Sequence, residues 1–125
     1  LTLQGEEHLQ TFLAANNYTS SLVDLQRCEE AKSLLRKTIP VARRVLGESN
    51  DVTLKLRWNY ATALCRDDSA TLDDLREAVT TLEETERIAR RVFGGQHPLA
   101  TRIEGSLRKS RTVLRSRETQ SSARP

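Results

Sequence analysis

A basic phrase that ends in glycine occurs twice in the chain, as ARRVLGES at 42–49 and as ARRVFGGQ at 89–96. The two copies are offset by 47 residues, and the match extends upstream, where CEEA at 28–31 aligns with LREA at 75–78. A repeat of this length is typical of stacked supersecondary units that bury a shared apolar face between neighbours. The repeat therefore predicts stacked units of similar structure.

Each copy contains a long apolar stripe with helical spacing. The stripe comprises Cys28, Ala31, Leu35, Ala42 and Val45 in the first copy and Leu75, Ala78, Leu82, Thr85, Ala89 and Val92 in the second. Steps of three and four residues place these side chains on one face of a helix. Thr71 precedes the second stripe as a candidate N-cap, and arginines followed by Gly47 and Gly94 end the two helices. Both long segments therefore carry start or stop signals of helices.

Shorter amphipathic segments precede the two long helices, and a fifth segment begins at Pro98, a residue favoured in the first helical turn. The predicted helices are 1–15, 22–46, 51–66, 71–93 and 98–116. The polar stretch NNYTSS is the predicted break after residue 15. We expect one repeat domain at 1–116, with repeat one at 1–47, repeat two at 51–94 and a closing helix at 98–116, followed by a flexible polar tail at 117–125.

Three motifs mark the helix pairs: NYA at 59–61 in a first helix, EEA or REA early in each long helix, and RRVLG or RRVFG at its end, the latter followed by His97-Pro98. Together they resemble the kinesin-light-chain type of tetratricopeptide repeat, most closely over 28–114. The resemblance implies an all-α fold of antiparallel helix hairpins that stack as a right-handed superhelix, a tetratricopeptide-like α-solenoid. The chain departs from the family in extra residues at 67–71 and in GESND at 47–51, which replaces the glycine-to-His-Pro linker.

The resemblance also implies a concave groove, lined by the first helix of each pair, in which a peptide lies. The corresponding positions are Glu7, His8 and Thr11 in the first helix, Lys55, Trp58, Asn59 and Thr62 in the third, and Arg102, Ser106 and Lys109 in the fifth. Asn59 would hold a peptide backbone through a paired donor and acceptor. Trp58 is either an apolar anchor in this groove or a packing residue between repeats. The carboxylate clamp of chaperone-binding relatives is not matched, because Glu7 and Thr11 replace its lysine and asparagine.

No convergent set of catalytic residues is present, so we expect a non-enzymatic protein without a cofactor or a metal. His8 lies in EEHLQ, which lacks the second histidine of a zinc-binding helix. The glycine pair at 94–95 lacks the lysine of a phosphate-binding loop. No apolar run approaches the ~20 residues that a membrane span needs. Cys28 and Cys65 form no paired motif, and we expect them to be reduced in a cytoplasmic protein.

Positive charge is concentrated at the C-terminal end of the chain. The formal net charge is +3, and residues 98–125 contain seven lysines and arginines against two glutamates. This basic helix is interpreted as a solvated end-cap, as a site for an acidic partner or as a nucleic-acid site. The end-cap is favoured, and nucleic acid is the least supported because no aromatic residues are interleaved for base stacking.

Two functions of different class follow from these patterns. The first is a non-catalytic module that binds an extended peptide or protein segment in the groove, with an acidic segment favoured by Lys55, Arg102 and Lys109. The second is a structural end-capping segment of a larger repeat array or complex, which contacts neighbouring repeats of the parent chain and has no ligand of its own. An exposed apolar N-terminal edge on the predicted helix 1–15 would favour the second function.

Overall fold

The computed structural model describes residues 3–123 of the chain, with side chains at 8–121. Five helices follow one another: α1 Leu3–Asp24, α2 Cys28–Val45, α3 Asp51–Arg66, α4 Leu72–Phe93 and α5 Pro98–Ala123. Residues 3–123 contain no strand. The prediction of an all-α fold is confirmed, and the predicted bounds of the third and fourth helices agree with α3 and α4 to within one residue.

The helices form a stack with α3 at its centre. Each helix packs against the next along the chain, and α3 additionally contacts both α1 and α5. Within the described range, α2 and α4 both pack on α3, and no Cα atom of α2 lies within 8 Å of one of α4. The first helices of the hairpins therefore lie side by side, whereas the backbones of α2 and α4 are farther apart.

The predicted start and stop signals lie at the helix ends. Thr71 Oγ1 accepts a hydrogen bond from the Asp74 N–H at 3.1 Å, and the Asp74 carboxylate accepts one from the Thr71 N–H at 3.0 Å. This reciprocal capping box begins α4. Gly47 and Gly94 follow α2 and α4 with φ of 93° each, a backbone conformation that is strained for residues with a side chain.

The two apolar stripes form most of the core. Buried members are Cys28, Ala31, Leu35 and Ala42 on α2, and Leu75, Ala78, Leu82, Thr85 and Ala89 on α4. The last member of each stripe differs, because Val45 and Val92 are 42% and 44% exposed in the final helical turns. Ala31 and Ala78 are fully buried at corresponding positions, which leaves no room for a larger side chain without a shift of the neighbouring helix.

The predicted break after residue 15 is wrong, because α1 continues through NNYTSS to Asp24 and α2 begins at Cys28. The Thr19 hydroxyl donates to the Ala15 carbonyl at 2.8 Å, so it is satisfied inside the helix. Thr19, Leu22 and Val23 are buried against the rest of the stack, and this packing overrides weak helix propensity. The chain turns at 25–27 instead, where Gln26 has a φ of +63°.

The predicted end of the last helix at 116 is also wrong, because α5 continues to Ala123. Arg117 Nη1 donates to the Ala70 carbonyl at 3.0 Å, and Glu118 lies 3.8 Å from Arg76 on α4. These contacts attach residues that the sequence predicts to be a flexible tail to the start of α4. Residues 124 and 125 of that tail lie outside the described residues.

Candidate functional site

A groove of about 450 Å³ runs across α1, α3 and α5. It is lined by Asn16, Ser20, Val23 and Asp24 on α1, by Lys55, Trp58, Asn59, Thr62 and Arg66 on α3, and by Arg102 and Ser106 on α5. The α3 residues follow one another at steps of one, three and four, so they share one face of that helix. The side-by-side packing of the three helices therefore creates one continuous surface.

Most predicted groove positions on α3 and α5 lie in this surface. The structure brings together Lys55, Trp58, Asn59, Thr62 and Arg102, with Ser106 beside them. Lys109 is exposed on the same side of α5, about one turn beyond Ser106, and does not line the groove.

The structure does not place the predicted α1 positions in this groove, for the residues whose side chains it describes. His8 and Thr11 are exposed, and neither lines the groove. At about 100° per residue, both lie roughly 100° or more around α1 from the groove-lining face. Glu7 lies outside the residues whose side chains are described. The groove instead takes its α1 residues from Asn16–Asp24, where the sequence pattern predicts a break at 16–21 and the start of the next helix at 22.

Trp58 combines the two roles that the sequence leaves open. Its Nε1 donates a hydrogen bond to Ser106 Oγ at 2.8 Å, which joins α3 to α5. Its half-buried ring packs against the core cluster that contains Ile103 and Leu107, and it also lines the groove. Trp58 is therefore a groove residue and a packing residue between helices at once.

Asn59 has a structural role that limits its predicted role toward a peptide. Its Nδ2 donates to the Asn16 carbonyl at 3.1 Å and to Thr19 Oγ1 at 2.8 Å. A side-chain amide has two N–H donors, so both are used to hold α1 against α3. Only the amide oxygen remains, and the paired donor and acceptor predicted for Asn59 are therefore not available in this conformation.

Positive charge exceeds negative charge along the groove. Its lining contains Lys55, Arg66 and Arg102, with Asp24 as the acidic residue. Asp24 and Arg66 form an exposed ion pair at 3.3 Å, and Lys55 lies 3.6 Å from Asp51. Arg102 forms no ion pair with any described residue. Exposed pairs of this kind contribute little, so Lys55 and Arg102 can exchange or gain an acidic partner at low cost.

The remaining candidates for chemistry have structural explanations. His97 Nδ1 accepts the Leu99 N–H at 3.1 Å at the start of α5, and its ring stacks on Phe93 with centroids 4.7 Å apart. Burial raises the pKa of the Cys65 thiol, which makes it a poor nucleophile at neutral pH. Across the described side chains, no three His, Cys, Asp or Glu residues are grouped as metal ligands. None of the helices described is both long and apolar enough to span a membrane.

A second sequence repeat locates the groove residues of α1. NYTSSL at 17–22 aligns with NYATAL at 59–64 at an offset of 42 residues, which differs from the offset of 47 between the long helices. This alignment pairs Ser20 with Thr62 and Asp24 with Arg66, and all four line the groove. The extra residues lie between Arg66 and Leu75, so a single offset cannot align both halves of the repeat.

One known family matches part of the chain. A family model described as tetratricopeptide repeat matches residues 11–51, about a third of the chain, from the middle of α1 to the start of α3. No curated protein and no solved structure matches the chain. Tetratricopeptide repeats generally mediate protein–protein interactions. The match supports a tetratricopeptide repeat over α1 and α2, and the all-helical stack is consistent with that fold.

Proposed function

We propose that this chain is a non-catalytic interaction module that binds an extended segment of a partner protein in the groove across α1, α3 and α5. The observation that carries the proposal is the combination of Trp58 with Lys55 and Arg102 along one continuous groove. A flat aromatic side chain provides an apolar anchor, and the basic residues orient a charged partner. The motifs around NYA and His-Pro favour the kinesin-light-chain type of repeat for this module.

The charge of the groove favours an acidic segment. Carboxylates of such a segment would lie near Arg102 and Lys55, at one end of the groove. Exposed ion pairs are screened by salt and contribute little each, so Trp58 and backbone contacts must supply most of the affinity. For a short groove of this kind we expect a Kd on the order of micromolar.

Contacts to the peptide backbone come from groups that are not used inside the protein. Asn59 contributes its amide oxygen, because both of its N–H donors already bond to α1. The Ser20 hydroxyl and the Asn16 side chain add donors and acceptors on the facing helix. The backbone of a bound segment would therefore lie between α1 and α3, with its side chains toward Trp58 and Arg102.

A steric block of the groove tests this proposal. Peptides are selected for binding to the wild-type chain from a pool that contains acidic and neutral sequences. Ser20→Trp fills the groove from α1, whereas Ser21→Trp adds the same side chain at the next exposed position, which does not line the groove. We expect the selected peptides to be acidic, to bind the Ser21→Trp variant and to lose binding to the Ser20→Trp variant. Equal binding by both variants would exclude this groove.

A second candidate is the structural end-capping segment, and exposed apolar residues on α1 and in the turn after it favour it. Tyr18 and Leu25 are 55% and 65% exposed, and Tyr18 lies with Leu22 and Leu34 along a shallow groove between α1 and α2. A neighbouring helical unit would cover this surface. Tyr18→Ser combined with Leu25→Ser would then weaken incorporation into a larger assembly and leave the peptide groove unchanged. A module that selects no peptide but depends on these two residues for assembly would support this candidate.

A further inference from the structure

A separate cleft of about 210 Å³ lies between α2 and α4, on the side of α3 away from the groove. It is lined by Arg36, Ile39, Pro40 and Arg43 on α2, by Arg57 and Tyr60 on α3, and by Thr81 on α4. At about 100° per residue, Arg57 and Tyr60 lie on the opposite face of α3 from Lys55 and Asn59. The cleft lies where α2 and α4 both pack on α3 while their own backbones stay more than 8 Å apart, measured between Cα atoms.

The cleft contains three arginines and no acidic lining residue. Arg57 Nη2 bonds to Glu84 at 2.6 Å, Arg43 Nη2 bonds to Glu48, and Arg36 Nε donates to Tyr60 Oη at 3.3 Å. A guanidinium has several N–H donors, and each of these groups uses one nitrogen in a hydrogen bond to a described residue. Most donors of the cleft are therefore left for water or for a ligand.

Two of the three arginines are held in place before any ligand arrives. The Arg57 side chain is only 8% exposed. The Arg36 guanidinium lies 5.8 Å from the centre of the Tyr60 ring, and the Tyr60 hydroxyl accepts from Arg36 while it donates to Glu77 at 2.7 Å. Side chains that are already ordered lose less entropy when they bind, so the cleft is pre-organised for an anion.

We propose that this cleft binds a single phosphate group carried on the side chain of a partner protein. Guanidinium groups match phosphate oxygens with paired, charge-assisted hydrogen bonds, and a phosphorylated side chain carries a charge of about −2. A phosphate in the cleft would add a second anionic partner to Arg57, whose present partner Glu84 is half exposed. Ile39 and Pro40 provide an apolar wall beside the arginines.

The form of the cleft favours a phosphorylated protein over a nucleic acid. Nucleic acids need an extended track of positive charge, and single strands add aromatic platforms for successive bases. Here the arginines converge on one small cleft, and its aromatic ring is already covered by Arg36. The site is independent of the peptide groove, because it lies on the opposite face of α3 and shares no lining residue with it.

The probe is the tripeptide Ala-phosphoserine-Ala, titrated into the ¹⁵N-labelled full chain at constant ionic strength, with Ala-Ser-Ala and inorganic phosphate in parallel. We expect saturable shifts of the Nε–H signals of Arg36, Arg43 and Arg57 with the phosphorylated peptide, weaker shifts with inorganic phosphate and none with Ala-Ser-Ala. Arg36→Gln and Arg43→Gln should each weaken binding by about tenfold. Arg44→Gln is the matched control, because it removes the same charge from the next exposed position on α2, outside the cleft.

The test does not depend on Arg57→Gln, which removes a buried charge and can unfold the chain. The outcome is decided by Arg36→Gln and Arg43→Gln, which change residues at exposed positions. If these variants bind the phosphorylated peptide as tightly as the wild-type chain does, the proposed site is wrong. Equal affinity for Ala-Ser-Ala would contradict recognition of the phosphate group. Tighter binding of a short single-stranded oligonucleotide to the same arginines would contradict a protein partner.

Discussion

The indole of Trp58 on α3 donates a hydrogen bond to Ser106 on α5 at 2.8 Å, at the point where both residues line the groove. The same ring packs against the core cluster of α3, α4 and α5. Groove shape and helix stacking therefore depend on one side chain. Substitutions at Trp58 are expected to change both properties together.

Loss of this hydrogen bond should cost a measurable part of the stability. Trp58→Phe and Ser106→Ala should each lower the free energy of unfolding, with about 0.5–1.5 kcal/mol attributable to the shared bond. Urea unfolding followed by circular dichroism measures this, because the Trp58→Phe variant has no tryptophan fluorescence. The double variant should lose less than the sum of the two single variants. Strict additivity would show that the two side chains are not coupled.

Asn59→Ala should destabilise the fold even without a ligand. The substitution removes the two hydrogen bonds that hold α1 to α3, including the one to the fully buried Thr19 hydroxyl. We expect a loss of about 1–3 kcal/mol in the free energy of unfolding. Asn17→Ala is the control, because Asn17 is the exposed counterpart of Asn59 in the repeat. Equal stability of the two variants would contradict the role of Asn59 between the helices.

Overpacking at the buried small residues should also be costly. Ala78 is fully buried on α4, as Ala31 is on α2. Ala78→Leu should lower the free energy of unfolding by about 1–3 kcal/mol, because the larger side chain forces α4 away from its neighbours. Thr80→Leu introduces the same side chain at an exposed position of α4. A thermal midpoint of Ala78→Leu no lower than that of Thr80→Leu would place the close contact elsewhere.

Stability should depend on the charge of Asp67 in the loop before α4. A hydrogen bond from the Lys32 ammonium at 2.8 Å and one from the Ser69 N–H at 2.9 Å hold the pKa of the Asp67 carboxyl below its ordinary value. The folded state therefore binds this proton less readily than the unfolded state. The resulting stabilisation is present above the ordinary pKa of about 4 and is lost as the pH falls through the lowered value.

Asp67→Asn tests this pH dependence. The variant should be less stable than wild type at about pH 7, and the difference should shrink as the pH falls below about 4. Asp68→Asn is the control, because Asp68 is the exposed neighbour in the same loop. Unfolding free energies are measured by urea titration at each pH. A deficit of Asp67→Asn that stays constant down to acidic pH would contradict the role of the carboxylate.

Local signals in the sequence were sufficient for α3 and α4. The stripe from Leu75 to Ala89 has the helical period, and Thr71 and Gly94 supply a cap and a stop, so periodicity and end signals agree there. The C-terminal half of α1 has no comparable local signal. Its polar residues become helical through partners that are distant in sequence, such as Asn59, which donates to Thr19.

Dependence on partners that are distant in sequence also explains why the end of α5 and the arginine cleft could not be predicted. The helical continuation of α5 depends on Arg117, which bonds to the carbonyl of Ala70 on another segment. The arginine cleft depends on the spacing of α2 and α4 in the fold. The positions of Arg36 and Arg57 in the sequence do not indicate this spacing. The groove residues on α3 and α5 could be predicted from the sequence, because the NYA and His-Pro motifs fix their positions on the helices.

The most direct measurement of the central proposal uses the indole of Trp58, the single tryptophan of the chain. An acidic peptide selected on the wild-type protein is titrated while the indole N–H signal is followed by NMR, and the affinity is measured independently by calorimetry. We expect the indole signal to shift saturably with the calorimetric Kd, on the order of micromolar, and Lys55→Glu combined with Arg102→Glu to weaken both readouts. A peptide that binds while the indole signal stays unchanged, or that binds the double variant as tightly as wild type, would contradict the proposed groove.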